Sequence, residues 1–211
     1  MPKNYTDREP LEEEFLSSIS LEGKIVCDIG AYIGKYTVGF ARRSKHVYVF
    51  EPMKKSFELL NSTLSLNGCF NVTAYNFGLG ERNENVTLFY PMKNAGCATV
   101  NTAIAEKYKD AKTEITVLRR FDDLNIAPDF FKIDVEGAEL SVLRGAEKYL
   151  REKRPELYIE LHGNGPADKF RNIYAVVNFL KNIGYHLYAV EKQTGIDKNY
   201  MDARFSHLFA Y

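Results

Sequence analysis

The chain has 211 residues, 45% hydrophobic and 27% charged, with 14 Phe and 14 Tyr, which suits one well-buried core and excludes a disordered tail. Its 28 basic and 28 acidic side chains cancel, so no overall positive field gathers a polyphosphate, and nucleic acid is not an expected partner. Cys27, Cys69 and Cys97 are odd in number and lack Cys-x-x-Cys spacing, which points away from a disulfide framework or a cysteine zinc site and toward a reducing cytoplasm.

At the N-terminus, Pro2 to Asp7 are polar where a secretory leader would be greasy, and no apolar run approaches the ~18 residues of a membrane helix. Leu11, Phe15 and Ile19 then fall four apart behind Asp7 and Pro10, which predicts an amphipathic helix within residues 1–20. Lys24 to Ile29 and His46 to Phe50 read as buried strands, separated by a glycine-containing turn and a helix over Gly34 to Ser44. Phe57, Leu60 and Leu64 keep helical spacing until Asn67 and Gly68 supply a stop. A third strand is expected at Asn71 to Phe77.

Residues 78–118 break this rhythm. Short strands at Val86 to Tyr90 and Glu114 to Leu118 flank a polar stretch, which is too long for a plain connection. The segment reads as an insertion and substrate lid, its tip at Asn94 to Asn101 selecting an acceptor and not a cofactor. Beyond it the sequence predicts a strand at Phe130 to Val135, a helix over Ala138 to Leu150 and a strand at Glu156 to Leu161. A helix through Phe170, Ile173, Val177 and Leu180 follows, then strands at Tyr185 to Val190 and Phe205 to Tyr211. No repeat or linker divides the chain, so residues 1–211 form one domain. Alternating strands and helices imply a mostly parallel sheet with helices on both faces, whose ligands bind beyond the carboxyl ends of the strands.

Those ends carry the chemistry. The first strand ends in DIGAYIG, Asp28 to Gly34, a turn whose glycines let backbone approach a ligand. Glu51 closes the second strand, where a carboxylate can accept both hydroxyls of a ribose. Phe131 to Glu139 brings Lys132, Asp134, Glu136 and Glu139 around a glycine that opens a helix, and Tyr158 to Gly165 offers Glu160 and His162. Acidic residues in a first helical turn also have a plain electrostatic reason, which covers Glu136 and Glu139. Asp134 faces the same cleft as Asp28 and Glu51, and an imidazole at His162 is suited to take a proton from a hydroxyl.

Together these pieces resemble the FkbM-type family of S-adenosylmethionine-dependent methyltransferases. The resemblance rests on DIGAYIG at Asp28 to Gly34, FEP at Phe50 to Pro52, KIDVEGAELSVLRGA at Lys132 to Ala146 and ELH at Glu160 to His162. It implies a Rossmann-like class I sheet of seven strands, the last antiparallel. It also implies S-adenosyl-L-methionine as cofactor, held by Asp28, Gly30, Ala31, Tyr32, Gly34, Glu51, Pro52, Asn76 and Gly78. Tyr32 stands where the family usually has Asn. The implied reaction is O-methylation of a small hydroxylated acceptor such as a sugar, with Asp134, Glu136 and His162 catalytic and His162 the expected base. No metal is required, although Asp134 with Glu160 or His162 has the chemistry to hold one. Two other readings stand beside this one. A nicotinamide-dependent oxidoreductase would use a Tyr-x-x-x-Lys pair, which Tyr108 and Lys112 match on an expected solvated helix. A degenerate cofactor-binding module would retain the fold without turnover.

Overall fold

The computed structural model describes residues 9–92, 95–196 and 205–211, so Asp7 and Asn94 lie outside the described residues. The first half runs α1 (Glu9–Ser18), β1 (Ile25–Ile29), α2 (Lys35–Arg43), β2 (His46–Phe50), α3 (Lys54–Leu66) and β3 (Val72–Tyr75). Then come β4 (Gly78–Leu79), β5 (Glu84–Pro91), α4 (Thr102–Ala105) and β6 (Ala111–Arg119). The second half holds β7 (Phe130–Ile133), α5 (Glu139–Gly145), α6 (Glu147–Lys153), β8 (Glu156–Glu160), α7 (Pro166–Asn182), β9 (Leu187–Ala189), β10 (Thr194–Gly195) and β11 (His207–Ala210).

The main sheet has the order β10-β9-β11-β8-β7-β1-β2-β3. Pairs from β8 through β3 are parallel, whereas β11 is antiparallel to both β8 and β9. Eight strands stand where seven are expected; the extra one is the two-residue edge β10, paired antiparallel with β9. Residues 78–118 build a second sheet, β4-β6-β5, in which β5 and β6 pair from Glu84↔Leu118 to Pro91↔Ala111.

Alternation along the strands divides the core in two. Cys27, Ile29, Phe131, Ile133, Leu157 and Ile159 point to the side covered by α5, α6 and α7. Val26, Phe130 and Tyr158 pack on the other side with Leu16 of α1 and Phe40 of α2. Phe15 of α1 lies against Tyr158 and Phe209, with ring centroids 5.8 and 5.4 Å away. Arg43 ties the end of α1 down by donating to the carbonyls of Leu16, Ser17 and Ile19. Among the described residues no helix is long and apolar enough to cross a membrane.

The single helix expected over Ala138 to Leu150 is two, interrupted at Ala146. Asp122 supplies the physical reason: its carboxylate accepts the N–H groups of Lys148 (3.1 Å) and Tyr149 (2.9 Å), giving α6 an N-terminus of its own. Tyr108 and Lys112 share no helix either. Tyr108 sits in the turn after α4 with its hydroxyl donating to the Cys97 carbonyl, and Lys112 belongs to β6.

Candidate functional site

Register brings four strand ends level. Ile29 pairs with Phe50 and with Ile133, and Ile133 pairs with Ile159, so Gly30, Glu51, Asp134 and Glu160 fall on one line. The order of strands reverses at β1, the place where ligands enter such sheets. Gly30 has φ +81, and a Cβ there would stand 1.8 Å from the Asp134 carbonyl oxygen, so only glycine lets the two chains leave the sheet this close. Tyr32 is also left-handed, at φ 53, a conformation that costs a non-glycine residue about 1–3 kcal/mol.

Glu51 offsets that strain. One oxygen accepts the Tyr32 N–H at 2.8 Å and the other accepts the Met53 N–H at 2.9 Å. On the Tyr32 side the contact uses the backbone N–H alone, so it does not depend on the side chain at that position. Burial pushes the Glu51 carboxyl up to about 7, against the opposing pull of the Met53 and Tyr32 N–H groups.

A cleft opens beside Glu51, with apolar walls from Phe50, Leu79, Leu88, Leu118 and Val135. Gly30, Tyr32, Glu51, Pro52, Gly78, Asp134 and Glu136 line it as well. The remaining expected residues frame it from behind. Asp28 is buried and accepts the Thr37 hydroxyl at 2.6 Å. Ala31 packs among Val49, Leu60 and Leu64, and Gly34 caps α2 at φ +89. Asn76 does not line the cleft but supports it, its amide donating to the carbonyls of Glu51 (2.9 Å) and Pro52 (3.2 Å). Two other surface depressions, around Asn83 and Asp123 and around Arg120 and Arg151, hold none of these strand-end residues.

The insertion contributes a wall of the cleft. Gly96, Ala98 and Val100, with Leu88 and Leu118, line the same cleft as Glu51. Thr116 bonds the Pro52 carbonyl at 3.1 Å, Thr99 bonds the Glu136 carbonyl at 2.6 Å and Asn101 bonds the Gly137 carbonyl at 3.3 Å. The middle of the segment and its C-terminal strand are thus fastened to the strand-end residues they enclose. Neither Tyr108 nor Lys112 lines the cleft, which leaves a nicotinamide reading without its catalytic pair.

Charge concentrates at the opposite end from Glu51. Lys132 is buried and holds Asp134 at 3.0 Å; burial would strip its proton, but Asp134 and Asp28 keep it charged. Glu136 adopts φ 51, and burial lifts its carboxyl to about 7, with His162 opposing. His162 does not line the cleft. Its Nδ1 lies 2.9 Å from Oε1 of the fully buried Glu139, and its Nε2 faces Glu160 (3.5 Å), Asp134 (3.8 Å) and Glu136 (3.8 Å). Burial alone would lower its pKa, but the bonds to Glu139 and Glu160 hold the imidazole well above its usual value. Glu139 also accepts from Gly137 N–H and Asn172, so a residue explained in sequence by helix polarity proves to orient the histidine. Asp134, Glu160 and His162 offer ligand atoms within 4.8 Å of one another, and Lys132 and Glu139 engage the first and last of them.

A parallel sheet that reverses at β1, ends in an antiparallel strand and sets a glycine turn beside an acidic second-strand end defines a Rossmann-like methyltransferase fold. The Methyltransferase FkbM structure from Methylobacillus flagellatus KT matches with a TM-score of 0.61 at 22% identity, covering 90% of this chain and 44% of that one. Precorrin-6y C5,15-methyltransferase from Geobacter metallireducens GS-15 gives 0.55 at 13% identity, covering 100% and 92%. A Streptococcus mutans protein solved in complex with SAH gives 0.51 at 16%, covering 100% and 99%. At these identities the likeness is one of fold. The Methyltransferase FkbM domain pattern matches residues 28–187, and the chain belongs to that family. "Methyltransferase 1" of Beauveria bassiana (strain ARSEF 2860) is 28% identical over 149 residues, 60% of this chain and 59% of that protein. The chain therefore spans less than two thirds of that relative's length.

Proposed function

We propose that the chain uses S-adenosylmethionine to methylate a hydroxyl of a small polyhydroxylated acceptor such as a sugar. The observation that carries this reading is the cleft's polarity: a fixed carboxylate at one end, Glu51, an apolar slot beside it, and Asp134 with Glu136 at the other. That donor set fits the cofactor. Each Glu51 oxygen already accepts one backbone N–H and keeps a lone pair for one of two ribose hydroxyls, while the flat base suits the walls of Leu88 and Leu118. When bound, the cofactor supplies a sulfonium methyl with a good leaving group, so alignment is the main requirement.

The acceptor's proton must leave as the bond forms, and a base must be within hydrogen-bond reach. In this reading Glu136 takes that task because it lines the cleft, in place of His162, whose nitrogens face Glu139 and the surrounding carboxylates. His162 then serves as the positive partner that keeps Glu136 able to ionise. Asp134, pinned by Lys132, orients the acceptor.

Thermal shift with S-adenosylmethionine, S-adenosylhomocysteine and NAD checks the cofactor, and tritium transfer to a panel of sugars and polyols checks the acceptor. Stabilisation by both adenosyl ligands and not by NAD is expected. Stabilisation by NAD alone would overturn the reading.

A further inference from the structure

Glu12 and His207 play no part in the cleft, yet both are buried and both meet Glu160. We propose that Glu12, Glu160 and His207 bind one divalent transition-metal ion of the Zn²⁺ or Mn²⁺ kind, which clamps α1 onto the antiparallel edge of the sheet.

The fold places the three residues independently of any ion. Glu160 and His207 are register partners across β8 and β11. Packing of Phe15 on Tyr158 and Phe209 sets α1 over the same face, and Glu12 lies one turn before Leu16 in that helix. One carboxylate oxygen from each glutamate and one ring nitrogen of His207 lie within 4.8 Å of one another, and His207 Nε2 is 3.7 Å from Glu160 Oε1. Donors bound to a single Zn²⁺ at about 2.0–2.2 Å stand roughly 3.3–3.5 Å apart, so a small inward movement completes the site.

His207 is oriented as a ligand would be. Its Nδ1 lies 3.0 Å from Glu191 Oε1, a carboxylate that also accepts the N–H groups of Ser206 (2.6 Å) and His207 (3.2 Å). With the Nδ1 proton held by Glu191, an ion would replace the proton on Nε2, which gives the carboxylate–histidine arrangement found behind metal ligands.

The unsatisfied atoms supply the second, independent observation. Glu12 Oε1, His207 Nε2 and the Tyr158 hydroxyl have no hydrogen-bond partner among the described residues. Their residues are 7%, 4% and 0% exposed. Orphaned buried polar atoms cost about 1–3 kcal/mol each, more when charged, and are uncommon. The neighbouring cluster of Asp134, Glu160 and His162 shares Glu160, but its other two members are already engaged, Asp134 by Lys132 and His162 by Glu139. Two carboxylates and an imidazole favour first-row transition ions over Mg²⁺ or Ca²⁺.

The test is calorimetry of the full, chelator-treated chain with Zn²⁺, Mn²⁺ and Mg²⁺, a readout independent of methyl transfer. One ion per chain is expected for Zn²⁺ and Mn²⁺, with Mg²⁺ weaker by about tenfold or more, and a melting temperature raised by about 5–10 °C at a hundredfold excess over Kd. Glu12→Gln and His207→Asn should each weaken Zn²⁺ by about tenfold or more, whereas Asp134→Asn should leave it within about threefold. No Zn²⁺ or Mn²⁺ binding by the wild-type chain overturns the proposal, as does loss with Asp134→Asn but not with Glu12→Gln, which moves the ion into the cleft. Should either variant fail to fold, X-ray absorption at the zinc edge of the wild-type chain decides. One imidazole among oxygen ligands supports the site, and any other ligand shell refutes it.

Discussion

Glu51 should destabilise the empty protein in order to serve the cofactor, and Glu51→Gln separates the two effects. Burial raises its pKa from 4.5 to about 7, so between those values the folded chain holds the proton and the unfolded chain does not. Stability from this group is complete below pH 4.5 and is lost as pH rises through about 7. Roughly 2.5 units at 1.36 kcal/mol per unit amount to about 3 kcal/mol. A glutamine accepts one of the Tyr32 and Met53 N–H bonds, as the protonated acid does, and carries no charge to desolvate. Without cofactor the variant should match the wild type near pH 5 and exceed it by about 3 kcal/mol near pH 8, or about 6–12 °C in Tm. With S-adenosylmethionine the variant's advantage shrinks toward zero, because charge-assisted bonds to two ribose hydroxyls of about 1.5–3 kcal/mol are weakened and affinity falls about 10–100-fold. Urea unfolding of both proteins across this pH range and titration calorimetry near pH 8 supply the two readouts. Parallel pH profiles would refute the desolvation argument, and unchanged affinity would refute the ribose assignment.

Glu136→Gln should lower kcat by about 10²–10⁴-fold with cofactor affinity intact. In His162→Ala the rising limb of the pH–rate profile, near 7 in the wild type, should move to higher pH because the cation that favours ionised Glu136 is gone. Disappearance of that limb in His162→Ala would return the base to the histidine. Ala98→Phe, at a position lining the cleft, should weaken S-adenosylmethionine by about tenfold or more by filling the slot; loss of turnover with cofactor binding unchanged would instead support the acceptor lid expected from the sequence. Gly30→Ala places a Cβ 1.8 Å from the Asp134 carbonyl at a positive φ, and a loss of more than about 3 kcal/mol is expected in chemical denaturation.

Strand ends were legible because apolar runs of fixed period stop at residues whose chemistry differs sharply from the run. Glu51, Asp134 and Glu160 could therefore be placed at one edge of a parallel sheet from local pattern, and the glycines at 30 and 34 announced the turn after β1, whereas Asp28, expected in the same cleft, lies inside β1 on the Thr37 hydroxyl. Three matters needed the tertiary structure. Helix α5 and α6 separate because Asp122, far away in sequence, caps the second, and no local propensity encodes a distant carboxylate. The side on which residues 96–100 close the cleft depends on the bonds from Thr99 to Glu136 and from Thr116 to Pro52, which are contacts between segments with no shared period. The protonation of His162 and Glu136 follows from burial and from charges on β7, β8 and α5 that converge in space. Sequence spacing thus determined which groups reach the edge of the sheet; only packing decided which of them face the cleft, which face each other, and which carry the proton.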